Sequence, residues 1–237
     1  MSFPTSSTAP SAPTAPTFTK PDPAMAAALL SHAFLWMFSG LLVTAGVAFV
    51  VQSNTQVMKT ATEFMLPIFI GQLAMVWAIG LGIRRMNATL ALGLFFVYAA
   101  TLGFTIAVIV SLYTGESVVT AFLSASAMFG AAGLYGVVTK RSLVGLGGTL
   151  TIGIVGLIVA SLINVFFANG ALSWIISIIG VVIFTALTAY DTQRISSGAL
   201  VVQTGSVEKA AVMGALHLYL DFINLFLFLL RLLGNRR

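Results

Sequence analysis

The chain has 237 residues, 59% of them hydrophobic and 7% charged, a net charge of +5 and no cysteine. A soluble domain carries about 25% charged residues, so a mean hydropathy of +1.05 excludes a soluble fold and marks an all-α, multi-span membrane protein. Disulfides, thiolate metal sites and thiol catalysis are excluded with the cysteines, and basic residues scattered in short pairs are a topology signal rather than a nucleic-acid patch.

Residues 1–24 are dominated by Ser, Thr, Ala and Pro, which predicts a flexible tail. No basic stretch leads into a short apolar run and cleavage site there, so it does not read as a signal peptide. The membrane domain then covers 25–237. A span needs about 20 apolar residues, and seven are predicted: Leu30–Val51, Phe64–Ile83, Ala88–Leu112, Val118–Val138, Gly147–Phe167, Leu172–Tyr190 and Ala211–Leu233. Runs of this length in hydrocarbon satisfy their own backbone only as helices. Short polar breaks separate them, and the last, Asp191 to Ala210, is the longest.

With the N-terminus in the cytoplasm, inside segments carry Lys20, Arg84, Arg85, Lys140, Arg141, Arg194 and Lys209, and the outside loops carry only Lys59. That is a positive-inside bias. Seven full spans leave Arg236 and Arg237 outside; a re-entrant last segment would return them inside. The long, continuous last run favours a full crossing. Gly130 and Gly133 share a face of the fourth span, where small residues let helix backbones approach closely in lipid.

The last span carries a polar stripe. His217, Asp221, Asn224, Phe228 and Arg231 follow a 4, 3, 4, 3 spacing and share one helical face. A helix with such a stripe belongs inside a bundle. Asp221 lies on the order of 15 Å along from Ala211, near mid-membrane depth. Ionisable groups inside a span are functional candidates. Asp191 ends the preceding span and shares a face with Thr188. If that helix runs one turn beyond Tyr190, Asp191 approaches Asp221. Two carboxyls in contact do not both ionise cheaply; they share a proton and titrate as a pair. Such a pair is a pH-sensitive latch, closed while a proton bridges it and repelling when both charge. Deprotonated, it is also a cation site, because hard cations such as calcium take carboxylate oxygens. Taken alone, Asp191 is equally an interfacial acid capped by Arg194. His217 either hydrogen-bonds a neighbouring helix or modulates Asp221. Asn164 and Asn224 read as interhelical hydrogen-bonding groups, and Arg231 as a snorkelling interface residue.

Three segments resemble the Bax inhibitor family of multi-span proteins: Phe129-Gly-Ala-Ala-Gly-Leu-Tyr-Gly-Val-Val-Thr-Lys-Arg141, Leu187-Thr-Ala-Tyr-Asp-Thr-Gln-Arg-Ile195 and Gly214-Ala-Leu-His-Leu-Tyr-Leu-Asp-Phe-Ile-Asn-Leu-Phe226. The tail Leu232-Leu-Gly-Asn-Arg-Arg237 is similar to the bacterial branch, which implies a bacterial inner membrane location. The resemblance implies a seven-helix bundle with a central last helix wrapped by the other six. It also implies an aspartate pair, here Asp191 and Asp221, gating a pH-sensitive calcium leak, with calcium as permeant ion and no resident cofactor. Some bacterial relatives of that kind bind and modulate a membrane-anchored ATP-dependent protease, which gives a second functional expectation. Two departures stand out. The family usually has a small residue where this chain has His217. Calcium-leak members carry an arginine near the cytoplasmic end of the second span, where this chain has Gly82 or Ile83, with Arg84 and Arg85 just beyond and Gln72 in place of a glutamate.

An intramembrane protease is the third class. Tyr190-Asp191 resembles half of an aspartyl site, but the Gly-x-Gly-Asp half is missing, since Leu218-Tyr-Leu precedes Asp221. No Gly-x-Ser-x-Gly elbow occurs either, so no enzyme is expected.

Overall fold

The computed structural model describes residues 22–237. The expected N-terminal tail lies outside the described residues as far as residue 21; the first helix starts at Pro23, with the Asp22 carboxylate accepting from Ala24 N. In chain order the helices are α1 (Pro23–Ser53), α2 (Thr55–Glu63), α3 (Met65–Gly82), α4 (Ala88–Val110), α5 (Gly115–Val138), α6 (Leu146–Phe167), α7 (Gly170–Ser196), α8 (Ala199–Thr204) and α9 (Val207–Leu233). Seven of them, all but α2 and α8, are long and apolar enough to cross a membrane. The protein is an all-α membrane bundle.

The polar breaks do more than interrupt hydropathy. Asn54, Asn87, Thr114, Asn169 and Ser206 each place a side-chain oxygen on an amide at the start of the following helix. Those first amides have no partner within their own helix, and a capping side chain is worth about 1 kcal/mol.

The last break differs from expectation. Hydropathy ends the sixth span at Tyr190, but α7 continues to Ser196, and the short α8 occupies the middle of the break. The end of an apolar run marks where side chains become polar, not where a helix stops. Ile195 and Leu200 are almost fully buried and anchor this extension to the core. Gly198 and Gly205 flank α8 with φ of 72° and 85°, the left-handed conformation that glycine adopts without a side-chain penalty.

α9 is the centre of the bundle. Of its most apolar stretch 72% is buried, against 11% for α3 and for α6. It packs directly on α1, α4, α5, α7 and α8, while α3 leans on α4 and α6 on α7. The six other spans thus form an inner ring of four and two outer helices. Gln72 ties α3 to α4, donating from Nε2 to Thr101 O and Thr105 Oγ1, both at 2.9 Å. Glycines allow the closest approaches. A Cβ at Gly40 would meet the Phe95 ring at 2.6 Å, and one at Gly180 would meet the Phe228 ring at 2.6 Å.

The C-terminal segment fastens to the connection between α4 and α5. Thr114 N donates to Asn235 O (3.1 Å), Arg237 N to Leu112 O (3.0 Å) and Asn235 N to Ser117 Oγ (2.9 Å). Tyr113 and Arg236 form an antiparallel bridge, and the guanidinium of Arg236 lies over the Tyr113 ring. The tail therefore ends on the face opposite the start of α1, after a full crossing. A Tyr113→Cys/Arg236→Cys variant of this cysteine-free chain is expected to form an intramolecular disulfide under mild oxidant, since paired strand residues lie about 4.5–5.5 Å apart. Failure to cross-link in membranes would show that α9 does not complete the crossing.

Candidate functional site

Charge inside the spans is confined to few places. α1, α3, α4 and α6 contain no Asp, Glu, Lys or Arg, and α5 has only Glu116 in its first turn. What remains is Asp191 and Arg194 on α7, and Glu208, Lys209, Asp221 and Arg231 on α9. Asp221 sits near the middle of α9 and is 4% exposed, while Asp191 is 7% exposed. The extension of α7 past Tyr190 carries Asp191 to His217 of α9, a residue one turn before Asp221.

Asp191 Oδ1 lies 3.3 Å from His217 Nδ1 and 3.8 Å from an Arg194 guanidinium nitrogen. The contact to His217 is close but not aligned as a hydrogen bond, so Nδ1 is left without one. Asp221 is within coulombic reach of Asp191, and its Oδ2 is fully buried with no hydrogen-bond partner among the described residues. The neighbouring hydroxyls do not serve it. Thr188 Oγ1 donates to Phe184 O (2.8 Å) and Thr192 Oγ1 to Thr188 O (2.6 Å), each back into its own helix. A buried acceptor without a donor costs about 1–3 kcal/mol, so stability alone does not explain Asp221.

The rest of the polar stripe divides. His217, Asn224 and Phe228 are half-buried and Arg231 is exposed, so the stripe lies along the least covered side of α9, with Asp221 the one member fully enclosed. Asn224 Nδ2 donates to Leu220 O in its own helix at 2.8 Å. It is not the interhelical link expected from sequence, because a helical asparagine side chain can bond back to the carbonyl four residues before it, within its own helix. Asn164 does link helices, through Ser173 Oγ at 2.6 Å. Arg231 lies over the Phe228 ring at 5.8 Å, at the far end of α9.

The arginines after α3 do not contact the carboxyls. Arg84 Nε donates to Gln203 O at 2.7 Å, and the Arg194 guanidinium donates to the Gln203 side-chain oxygen. Lys209 Nζ donates to Arg84 O at 3.1 Å, and Arg85 is exposed. Arg84 thus reaches Asp191 only through Gln203 and Arg194. Sequence inspection misses Gln203, which lies in what reads as a loop. It also misses the buried contact of Tyr219 Oη with Thr44 Oγ1 at 2.6 Å, with Thr44 in turn donating to Ala99 O at 2.8 Å. Tyr219 is two residues from Asp221, and this contact fixes the rotation of α9 against α1 and α4.

Residues 26–237 match the family described as Inhibitor of apoptosis-promoting Bax1. The chain belongs to the Bax inhibitor family. It is 40% identical over 214 residues to the inner membrane protein YbhL of Escherichia coli K12, covering 88% of this chain and 92% of that relative. A protein of Deinococcus radiodurans is 40% identical over 209 residues, covering 88% and 90%. The YrjE protein of Lactococcus lactis is 39% identical over 213 residues, covering 87% and 90%. The alignments span most of each chain, so the likeness is to the whole bundle.

If Asp221 is held for activity rather than stability, its removal relieves a cost. Asp221→Leu, an apolar replacement of similar size, is expected to leave the thermal midpoint in detergent unchanged or raised by about 2–4 °C, the shift that about 1 kcal/mol produces in a chain of this size. A fall of several degrees would show the carboxyl to be structurally paired.

Proposed function

We propose that this multi-pass membrane protein is a pH-sensitive cation leak gated by Asp191 and Asp221. One observation carries the proposal: Asp191 and Asp221 lie on adjoining helices within coulombic reach of each other, and one buried carboxyl oxygen of the central helix has no donor. A shared proton holds the pair closed. Loss of that proton leaves two negative charges in a low-dielectric interior, which repel each other and attract a cation.

Calcium takes 6–8 oxygen ligands. Among the described residues no group of three His, Asp or Glu side chains converges, so an ion at the pair keeps much of its water. That suits passage better than storage. The charged and titratable groups facing the pair are Arg194 on α7 and His217 on α9. They take the place of the second-span arginine that this chain lacks, and Arg84 acts on the pair through Gln203.

The basic residues support a cytoplasmic N-terminus. Arg84, Arg85, Lys140, Arg141, Arg194 and Lys209 lie on the N-terminal face, against Lys59, Arg231, Arg236 and Arg237 toward the other. The backbone clasp on the C-terminal tail accounts for two exceptions, since it places them with the far loop whatever their charge. The likeness to an inner membrane protein supports the same compartment here.

In calcium-loaded proteoliposomes, efflux is expected to be low at acid pH and to rise as the pair deprotonates toward neutral pH. Asp191→Asn and Asp221→Asn each leave a single carboxyl, which forms no proton-bridged latch, so both should flatten the pH profile. Flux unchanged in both variants would remove the proposal. A wild-type protein that conducts no cation would instead favour a regulatory role, through binding to a membrane-anchored ATP-dependent protease.

A further inference from the structure

An open groove of about 490 Å³ lies between α5 and α7, bounded at one end by Leu143 and by Leu146 at the start of α6. α5 packs on α7, and α7 forms the floor of the groove. Its lining is apolar, including Met128, Val181, Ala189, Leu143 and Leu146. The size falls within the range of about 300–1,000 Å³ usual for small-ligand sites.

Three observations say what fits. The first is length. The floor runs from Val181 to Ala189, about 12 Å at helical rise, which is less than one half of a hydrocarbon core about 30 Å thick. A partner's transmembrane helix would need a groove across the whole core. The second is charge. The loop from α5 to α6, whose Leu143 lines one end of the groove, also presents exposed Lys140 and Arg141, and neither makes an ion pair among the described residues. The third is rigidity. Gln193 on α7 holds that loop in place, accepting from Leu143 N at 2.7 Å and donating to Arg141 O at 2.9 Å. Tyr135, also in the lining and half exposed, lies near the end of α5, where aromatic side chains favour the headgroup level.

We propose that this groove binds one acyl chain of an anionic phospholipid, with its phosphate held by Lys140 and Arg141. The site belongs to the leaflet on the N-terminal face. It is independent of the leak proposal, because no residue is shared with the aspartate pair. It adjoins that pair all the same, since Gln193 precedes Arg194. A two-fold dimer through this face would bring two basic loops together, which disfavours a second copy as occupant.

The test is native mass spectrometry of the full chain purified into detergent and offered equimolar phosphatidylglycerol and phosphatidylcholine. Wild type is expected to retain one phosphatidylglycerol per chain, with phosphatidylcholine lower by roughly tenfold or more, the effect expected of two basic contacts. The exposed double variant Lys140→Ala/Arg141→Ala should lose that preference with an unchanged thermal midpoint. Ala186→Phe, which fills the groove, should lose both lipids. Equal retention of the two lipids by wild type, or a preference that survives in the double variant, overturns the proposal. So does an Ala186→Phe protein that keeps its lipid but loses a dimer or a co-purifying membrane protein. If Ala186→Phe does not fold, the double variant alone decides between the outcomes.

Discussion

Hydrocarbon offers no hydrogen-bond partner and no dielectric screening, so every polar group in a span must find its partner within the protein. That constraint arranges this bundle. The outer helices α3 and α6 carry no charge and face lipid with little burial. The helix with a mid-span acid, α9, goes to the centre, where α1, α4, α5 and α7 enclose it. Asp191 follows the same rule: α7 runs past its apolar stretch because the polar residues at its end have partners inside the protein. Gln193 bonds the loop after α5, and Arg194 reaches Gln203.

Close packing sets how much freedom the pair has. Small residues let large rings seat against backbone, as Phe95 does at Gly40 and Phe228 at Gly180. Tyr219 lies edge-on to both Phe95 and Tyr98 and reaches Thr44 with its hydroxyl. This side of α9 is locked in rotation and depth. The opposite side, with His217 and Asn224, is only half covered. The central helix is therefore packed tightly on one side and has one open flank.

The two faces of the bundle are fastened by different means. On the far face, backbone bonds join the C-terminal tail to the start of α5, and titration does not alter them. On the N-terminal face, the ties are long polar side chains: Arg84, Gln203, Arg194, Lys209 and Gln193. Exposed side-chain ties of this kind contribute little stability each and exchange partners readily. Both the aspartate pair and one end of the α5–α7 groove adjoin this adjustable network.

Periodicity and composition by themselves determined the class, the number of crossings and the two acids of interest. Those properties follow from local transfer energies and helical spacing, which each segment carries on its own. The caps at Asn87 and Asn169 were also open to inspection, as polar residues just before apolar runs. The true end of α7 was not, because a helix continues wherever its polar side chains find partners, and those partners are distant in sequence. Asn224 turned back on its own helix, Gln203 became a bridge between two arginines, and the arginines after α3 stopped short of the carboxyls. Only the tertiary structure decided these matters, since each depends on how far one helix slides and rotates against another. The C-terminal clasp is the same kind of case: two residues that are 123 positions apart, Tyr113 and Arg236, place the tail that charge counting alone left unresolved.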